Sequence, residues 1–403
     1  MYINVAYMND HVTLCYKACK ACWGKPLGSE YFDMVNFIEN RVKVGHESVL
    51  EHSNVVMELI INEIQEKNLL DEFISLIGDM KYLNIAPAKD HHDYHFLMGG
   101  SIRAYKELIR TATNPNSELL TIILHTLTAN LDPCYFRDFI NAGLCTKDNF
   151  SKVCFYNYTK EDECKNKAKL GLSIVENVDP YEELYMNLSD PYLFSTADLY
   201  RMLTITINFT DLSRAASHQL VRHRNGITQS SMRYIDQAKA TCYVPEALKD
   251  KEFVFNCFGY EVHATFEDIL KEEIHIYKQI REQEVAKEDA RGILGANIAS
   301  KDLYMTFTYK NFIKFLELRT DSHAQEEIRN RALELFDHFV NDTALLPENL
   351  YDYLIPYYEI HKEEMEDLDS EIDELIEEKL MEMEENWNNF EANAYEYIPD
   401  ERL

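Results

Sequence analysis

Along most of this chain the apolar residues recur at three- and four-residue intervals, the spacing of helices that bury one face. Two segments break that rhythm. Asn54–Ile61 and Leu203–Phe209 are dense in β-branched residues and predict strands. The mixture reads as α+β. From about residue 145 to 195 the sequence turns polar, rich in Lys, Asn and Asp and poorly periodic, which predicts an insertion or long excursion between elements. Further on, Leu368, Ile372, Leu375, Ile376, Met383, Trp387 and Phe390 return to helical spacing and predict an amphipathic helix whose stripe packs on its own body, on a neighbouring subunit or on a partner. The expected division is a body over 1–345 and a helical tail over 346–403.

Charge sharpens that division. Between residues 359 and 402, 18 Asp or Glu stand against Lys362, Lys379 and Arg402, so this tail carries about half of the formal net charge of -30. A chain so acidic lacks the basic face that a general nucleic-acid binder needs to displace counterions. No run approaches the roughly 20 apolar residues of a membrane helix, and Met1–Val5 has no signal-peptide character. No nucleic acid or membrane partner and a cytoplasmic location are expected. The nine cysteines are an odd number and scattered, so reduced thiols are expected rather than a disulfide framework. Cys15, Cys19 and Cys22 read as one buried helix face, and His91 to His95 as a solvated loop or turn, so no metal site is expected. With twelve glycines and neither G-x-G-x-x-G nor a P-loop, no standard dinucleotide or triphosphate cradle is present in the sequence.

The chemistry concentrates after the second strand. Thr210 or Asp211 predicts the N-cap of a helix running to about His223, ended by Asn225-Gly226. Helical spacing places Gln219, Arg222 and His223 on one face. Beyond the turn, Thr228 to Tyr234 supplies hydroxyls, an amide and a further guanidinium, so Arg222, Arg224 and Arg233 crowd together in an acidic protein. Such crowding points to an anion, since a guanidinium fork, hydroxyls and turn N–H groups together suit phosphate. Pairing with buried carboxylates is the alternative.

Gln219-x-x-Arg222-His223-Arg224 followed by Ser231-x-Arg233-Tyr234 resembles the signature of the flavin-dependent (X-type) thymidylate synthases. Gly45 to His52 is similar to that family's upstream motif, Glu288 to Leu294 to its arginine segment, and Phe315 to Gln325 to its C-terminal motif. The four stand in the family's order and span residues 1 to 340. The resemblance implies a mixed α/β fold with a central antiparallel sheet flanked by helices. It also implies a homotetramer with sites at subunit interfaces, and the reductive methylation of dUMP to dTMP with methylenetetrahydrofolate as carbon donor and NADPH as reductant through FAD. It places dUMP on Gln219, Arg222, Gln229, Ser230, Ser231, Arg233, Arg291 and Arg319. It places FAD on His52, Asn54, Arg222, His223, Arg224, Gln229, Thr308, Lys310, Lys314 and His323. Arg319 would sit against the uracil ring and Ser231 would position the substrate, these two being the catalytic candidates. No cysteine has the context of the other thymidylate synthase class, because Pro133-Cys134 is followed by Tyr135. The departures fall on the flavin side. Six residues separate Arg224 from Ser231 where seven are usual. Thr308, Lys310 and Lys314 replace Asn, Arg and Asn, and Gly295-Ala296 replaces a Leu-Pro neighbourhood. The rival readings are a related flavoenzyme acting on another pyrimidine nucleotide and a catalytically silent nucleotide-binding homologue.

Overall fold

A computed structural model describes residues 1–23, 30–78, 80–112, 117–141, 172–174, 180–223, 226–257 and 259–341. Arg224, Asn225, the acidic tail and most of the 145–195 excursion lie outside the described residues. The chain opens with β1 (Tyr2–Met8), α1 (His11–Trp23), α2 (Tyr31–Lys43) and a 3-10 turn, Glu47–His52. There follow β2 (Val55–Asn62), α3 (Lys67–Ile77), β3 (Asn84–Asp90), β4 (Asp93–Gly100), α4 (Ile102–Thr111), α5 (Glu118–Asn130) and α6 (Arg137–Asn141). The second half holds β5 (Leu172–Ile174), α7 (Pro180–Asn187), α8 (Thr196–Met202), β6 (Thr204–Ser213), α9 (Arg214–Leu220) and β7 (Gly226–Gln229). A hairpin of β8 (Glu252–Cys257) and β9 (Tyr260–Thr265) leads into α10 (Phe266–Glu282) and α11 (Lys287–Ala290). Last come β10 (Ala299–Thr308), α12 (Tyr309–Thr320) and α13 (Glu326–Asn341). No helix among the described residues is long and apolar enough to cross a membrane.

The α+β mixture is as expected, with every sheet antiparallel, but two four-stranded sheets stand where one central sheet was expected. The two strands legible in the sequence go to different sheets. β2 lies between β1 and β4 in the order β1-β2-β4-β3, whereas β6 lies between β5 and β10 in the order β5-β6-β10-β7. β2 is almost uniformly apolar because both its faces are covered. Val55, Met57, Leu59 and Ile61 pack with residues of α1 to α5, while Val56 joins a second core containing Leu184, Leu199, Tyr200 and Met202. The one charge in its middle, Glu58, is fully buried and satisfied: Ser189 donates to it through its backbone N–H at 3.0 Å and through its hydroxyl.

In the second sheet strict alternation separates two faces. Ile205, Ile207 and Phe209 with Leu303, Met305 and Phe307 bury against residues of α9, α12 and α13. The other face carries Thr204, Thr206, Asn208, Thr228 and Thr306, all buried. It is packed by α1 and by the Glu47–His52 turn. A buried face of hydroxyls needs hydrogen-bonding partners, and the turn supplies one in His52.

Three local expectations are corrected. The helix predicted from Thr210 or Asp211 starts later: β6 continues to Ser213, paired with Ala299 of β10, and the Ser213 hydroxyl caps α9 by accepting from the N–H of Ala216 at 3.0 Å. Ladder partners on β10 outcompete the local capping tendency of Asp211, which takes a left-handed φ of 52°. Gly226 does not end that helix, since α9 stops at Leu220, a 3-10 turn follows over Val221–His223 and Gly226 opens β7. In the His91–His95 run only His91 and His92 form the turn, whereas Asp93 to His95 belong to β4, with His95 buried beside Glu58. Cys15 and Cys19, by contrast, do lie on the buried face of α1, and burial pushes the Cys19 thiol up to about 12. Residues 180 to 195, the end of the predicted excursion, form α7 and a following turn, with Leu184, Leu188 and Phe194 in the core.

Gly226 sets how closely β7 approaches the Glu47–His52 turn, because a Cβ there would lie 2.7 Å from the Glu51 carbonyl oxygen. Gly226→Ala must therefore push two backbones apart. Thermal or denaturant unfolding is expected to show a loss of about 1–3 kcal/mol, and an unchanged midpoint would mean that the approach is not needed.

Candidate functional site

The predicted site residues fall into three groups. The first lies where α9 meets α12. Gln219 and His223 approach Arg319 near the end of α12: Arg319 donates from Nε to His223 Nε2 at 3.0 Å and from Nη1 to Gln219 Oε1 at 3.4 Å. Gln219 in turn donates to Gln325 Oε1 at 2.8 Å. An imidazole nitrogen that accepts from a guanidinium must be unprotonated, which assigns His223 as neutral with its proton on Nδ1. Burial, reinforced by the Arg319 charge, lowers His223 to about 4, in agreement. The ring also packs edge-on against Phe315, 5.3 Å between centroids. Arg222 lies alongside, exposed, and its charge acts on Arg319. Neither arginine has a carboxylate partner among the described residues.

The second group surrounds the turn after β7. Arg233 pairs through Nε with Glu288 Oε2 at 3.0 Å, and Arg291 donates from Nε to the Glu288 carbonyl at 3.1 Å. Arg214, the first residue of α9, donates to the Ser230 carbonyl at 2.8 Å. Burial and the nearby Arg291 charge both lower its pKa. Of these three guanidiniums only Arg233 meets a carboxylate among the described residues, and the surplus positive charge suits an anion. The Ser231 hydroxyl accepts from the N–H of Arg233 at 3.3 Å and keeps its own proton to donate. Ser230 is different. It is buried, its N–H donates to the Asp302 carbonyl at 2.8 Å and its hydroxyl accepts from the N–H of Asp302 at 3.1 Å, so it staples the turn to β10.

The third group lines a cleft of about 390 Å³, within the range of small-molecule pockets. Asn54, Thr204, Thr308, Asn311, Lys81 and Arg103 are among the residues that line it. Asn54 donates to the Met202 carbonyl at 2.9 Å, but its buried Oδ1 has no partner, nor does the buried hydroxyl of Thr204. Unpaired buried acceptors on the wall of a polar cleft are what a hydrogen-bonding ligand would satisfy. Thr308 is partly committed, since its hydroxyl caps α12 by accepting from the N–H of Asn311 at 3.2 Å.

The remaining predicted contacts are not brought together. His52 is fully buried with both nitrogens 2.8 Å from hydroxyls, Nδ1 from Thr306 and Nε2 from Thr228, so it is a structural bridge without access to a ligand. The His323 side chain is 95 % exposed and turned to its neighbour Asp321. Lys314 is exposed and Lys310 half-buried on α12, and Gln229 ends β7 with its amide nitrogen buried and unpaired. Arg214, Gln325 and Glu288 were not singled out from sequence. All three lie inside or beside the quoted motifs, and a helix count from Ser213 as cap would have put Arg214 five residues, about 7.5 Å of helix axis, before Gln219.

Fold and site define an antiparallel α+β protein with two arginine groups and a polar cleft. A family model described as "Thymidylate synthase complementing protein" matches residues 193–343. The chain is 32 % identical over 217 residues to the flavin-dependent thymidylate synthase of Thermococcus onnurineus, covering 49 % of this chain and 81 % of that protein. To that of Thermococcus kodakarensis it is 28 % identical over 215 residues, covering 50 % and 83 % respectively. To that of Pyrococcus abyssi it is 31 % identical over 149 residues, covering 36 % and 57 %. The chain belongs to the flavin-dependent thymidylate synthase family, a family of methyltransferases.

The two imidazoles fix a pH response. Burial lowers His52 to about 3 and His223 to about 4, from an ordinary value of 6.5. Both are neutral in the fold and free to protonate in the unfolded chain, so their contribution is complete above pH 6.5 and declines as pH falls towards those values. For the fully buried His52 the expected slope is up to about 1.4 kcal/mol per pH unit, with a smaller share from the partly exposed His223. Unfolding free energies measured from pH 7.5 to 5 should fall on the acid side of 6.5, more so in wild type than in His52→Gln. A wild-type profile that is level across that window would contradict a neutral buried His52.

Proposed function

We propose that this chain is a flavin-dependent thymidylate synthase that converts dUMP to dTMP, taking the one-carbon unit from methylenetetrahydrofolate and reducing equivalents from NADPH. The observation that carries the reading is Arg319: a guanidinium oriented by a neutral histidine and a glutamine, with no carboxylate neutralising it among the described residues. A fixed cation of this kind stabilises negative charge developing on a uracil ring, assists loss of the N3 proton and so raises the nucleophilicity of C5. Because His223 takes the Nε–H and Gln219 one Nη1–H, Nη2 and the second Nη1–H of Arg319 remain to face the base. Gln219, tied to Gln325, holds the guanidinium at its other edge.

Arg233 and Arg291, with the Ser231 hydroxyl, are the residues we assign to the nucleotide phosphate. Glu288 occupies Arg233 in the free chain, and an arriving dianion would displace it. Arg214 acts beneath, through the Ser230 carbonyl, and Arg222 stays available to nucleotide and cofactor. FAD, when bound, would supply the redox chemistry, carrying two reducing equivalents from NADPH to the transferred one-carbon unit. The residues fit such a group at the cleft, where the unpaired Oδ1 of Asn54 and the hydroxyls of Thr204 and Thr308 are acceptors for it. Lys310 keeps the positive charge of the arginine usual there without its fork, and Lys314 adds a charge where an asparagine is usual. The Arg319 and Arg233 groups share no residue, and a homotetramer in which groups from different subunits meet at one site accounts for that division. The acidic tail over 346–403 and the part of the excursion before β5 are, on this reading, additions to the synthase body.

The purified protein is expected to bind FAD, seen in its absorbance spectrum, to be bleached by NADPH without oxygen, and to release tritium from 5-tritiated dUMP only when methylenetetrahydrofolate is present. Arg319→Ala should lower turnover by about 100-fold or more while dUMP still binds. A colourless protein that takes up no FAD yet binds dUMP would favour the silent nucleotide binder.

A further inference from the structure

We propose that Trp23 is a positioning residue for the nucleotide-holding turn, acting through a column of stacked groups that runs Arg41, Trp23, Tyr234, Arg233. Trp23 is the last residue of α1, on the helix that covers the polar face of the second sheet. Its indole lies nearly parallel to the Tyr234 ring, with 4.0 Å between centroids and 13° between planes. The Arg41 guanidinium of α2 sits 4.2 Å from the indole centroid, and groups that close cannot share one face, so the indole is sandwiched. Arg41 also covers Phe37 at 4.9 Å, and its buried Nε has no hydrogen-bond partner, so two aromatic faces lie against this half-buried cation. His46 meets the indole edge-on at 5.6 Å. At the far end Arg233 lies 5.8 Å over Tyr234.

One backbone bond runs beside the column: the N–H of Ser231 donates to the Cys22 carbonyl at 3.3 Å. Inside the turn, the N–H groups of Tyr234 and Ile235 donate to the Ser231 carbonyl at 3.0 and 2.9 Å. Those internal bonds fix the turn's shape. The stack and the Cys22 bond fix its place relative to α1, and with it the direction of Arg233 and the Ser231 hydroxyl. Loss of the indole therefore leaves a well-formed turn that is no longer held where the phosphate must meet it. Aromatic pairs gain from offset stacking beyond the area they bury, so the conservative replacement with Phe retains part of the hold.

This inference rests on the assignment of Ser231 and Arg233 to dUMP. The chain has two tryptophans, Trp23 and Trp387, so in a Trp387→Phe protein all indole emission comes from Trp23. Saturating dUMP is expected to change that emission, with the midpoint that calorimetry gives for dUMP binding, because Arg233 leaves Glu288 at the other end of the column. Trp23→Ala should raise the KM for dUMP roughly tenfold, change kcat less than threefold and leave FAD absorbance intact, while Trp23→Phe recovers most of the loss. A Trp23→Ala enzyme with wild-type KM, or one whose loss is confined to kcat, overturns the proposal. Should that variant not fold, the Trp387→Phe protein decides alone: unchanged emission at saturating dUMP overturns it. Failure of the wild-type protein to bind dUMP at all would instead remove the underlying assignment.

Discussion

A neutral imidazole buried between two threonine hydroxyls holds the rest of the structure in register. His52 meets Thr228 of β7 and Thr306 of β10 at 2.8 Å each, and Thr306 in turn lies 2.8 Å from Thr206 of β6. Each hydroxyl can donate or accept, so the neutral ring donates its one N–H to one threonine and accepts from the other, and Thr306 carries the chain on to the third strand. Charging it in that environment would strand a cation without a counter-ion. The bridge brings the Glu47–His52 turn so close to β7 that Gly226 has no space for a side chain.

The same turn is gripped from the first half of the chain. Glu47 receives both terminal nitrogens of Arg110 at 2.8 Å and the ammonium of the almost fully buried Lys106 at 2.9 Å. The hydrogen bonds from Arg110, foremost among several causes, hold its carboxyl down to about 2. Lys106 also donates to the Tyr135 carbonyl at 2.9 Å. A buried ammonium is costly unless its donors are engaged, and this one is anchored to the turn and to the segment before α6. The turn is thus fixed between α4, which follows the first sheet, and the polar face of the second. The cleft lined by Asn54 and Thr308 lies alongside.

Charge organisation follows a different rule on each side of the second sheet. In the first sheet and its helices, cations meet carboxylates: Lys106 and Arg110 with Glu47, Lys89 with Glu63. Around α9 and the turn after β7, most guanidiniums meet carbonyls, a neutral histidine and an amide, and among the described residues Glu288 answers Arg233 while Asp236 answers Arg281. Pairing of the first kind is structural and neutralises the cations that take part in it. The second leaves a positive field inside an acidic protein, which is the condition for drawing in a phosphate ester.

How much of this was legible in the sequence follows from which forces act locally. The β-branched runs at β2 and β6 and the helical face of Cys15 and Cys19 depend on spacing alone, and each was readable, whereas the expected crowding of Arg222 with Arg233 is not seen: the fold places them in separate groups. So was the family, because its motifs keep their residues and order. The start of α9 was misread because the ladder to Ala299, a residue far along the chain, extends β6 past Asp211. The bridging role of His52, the stapling role of Ser230 and the grouping of Arg319 with His223 and Gln219 depend on partners 70 or more residues distant. Sequence determined which chemical groups are present and which faces are apolar. Tertiary structure decided which of those groups spend their hydrogen bonds on the fold and which are left to a ligand, because long-range pairing alone sets what each buried donor or acceptor meets.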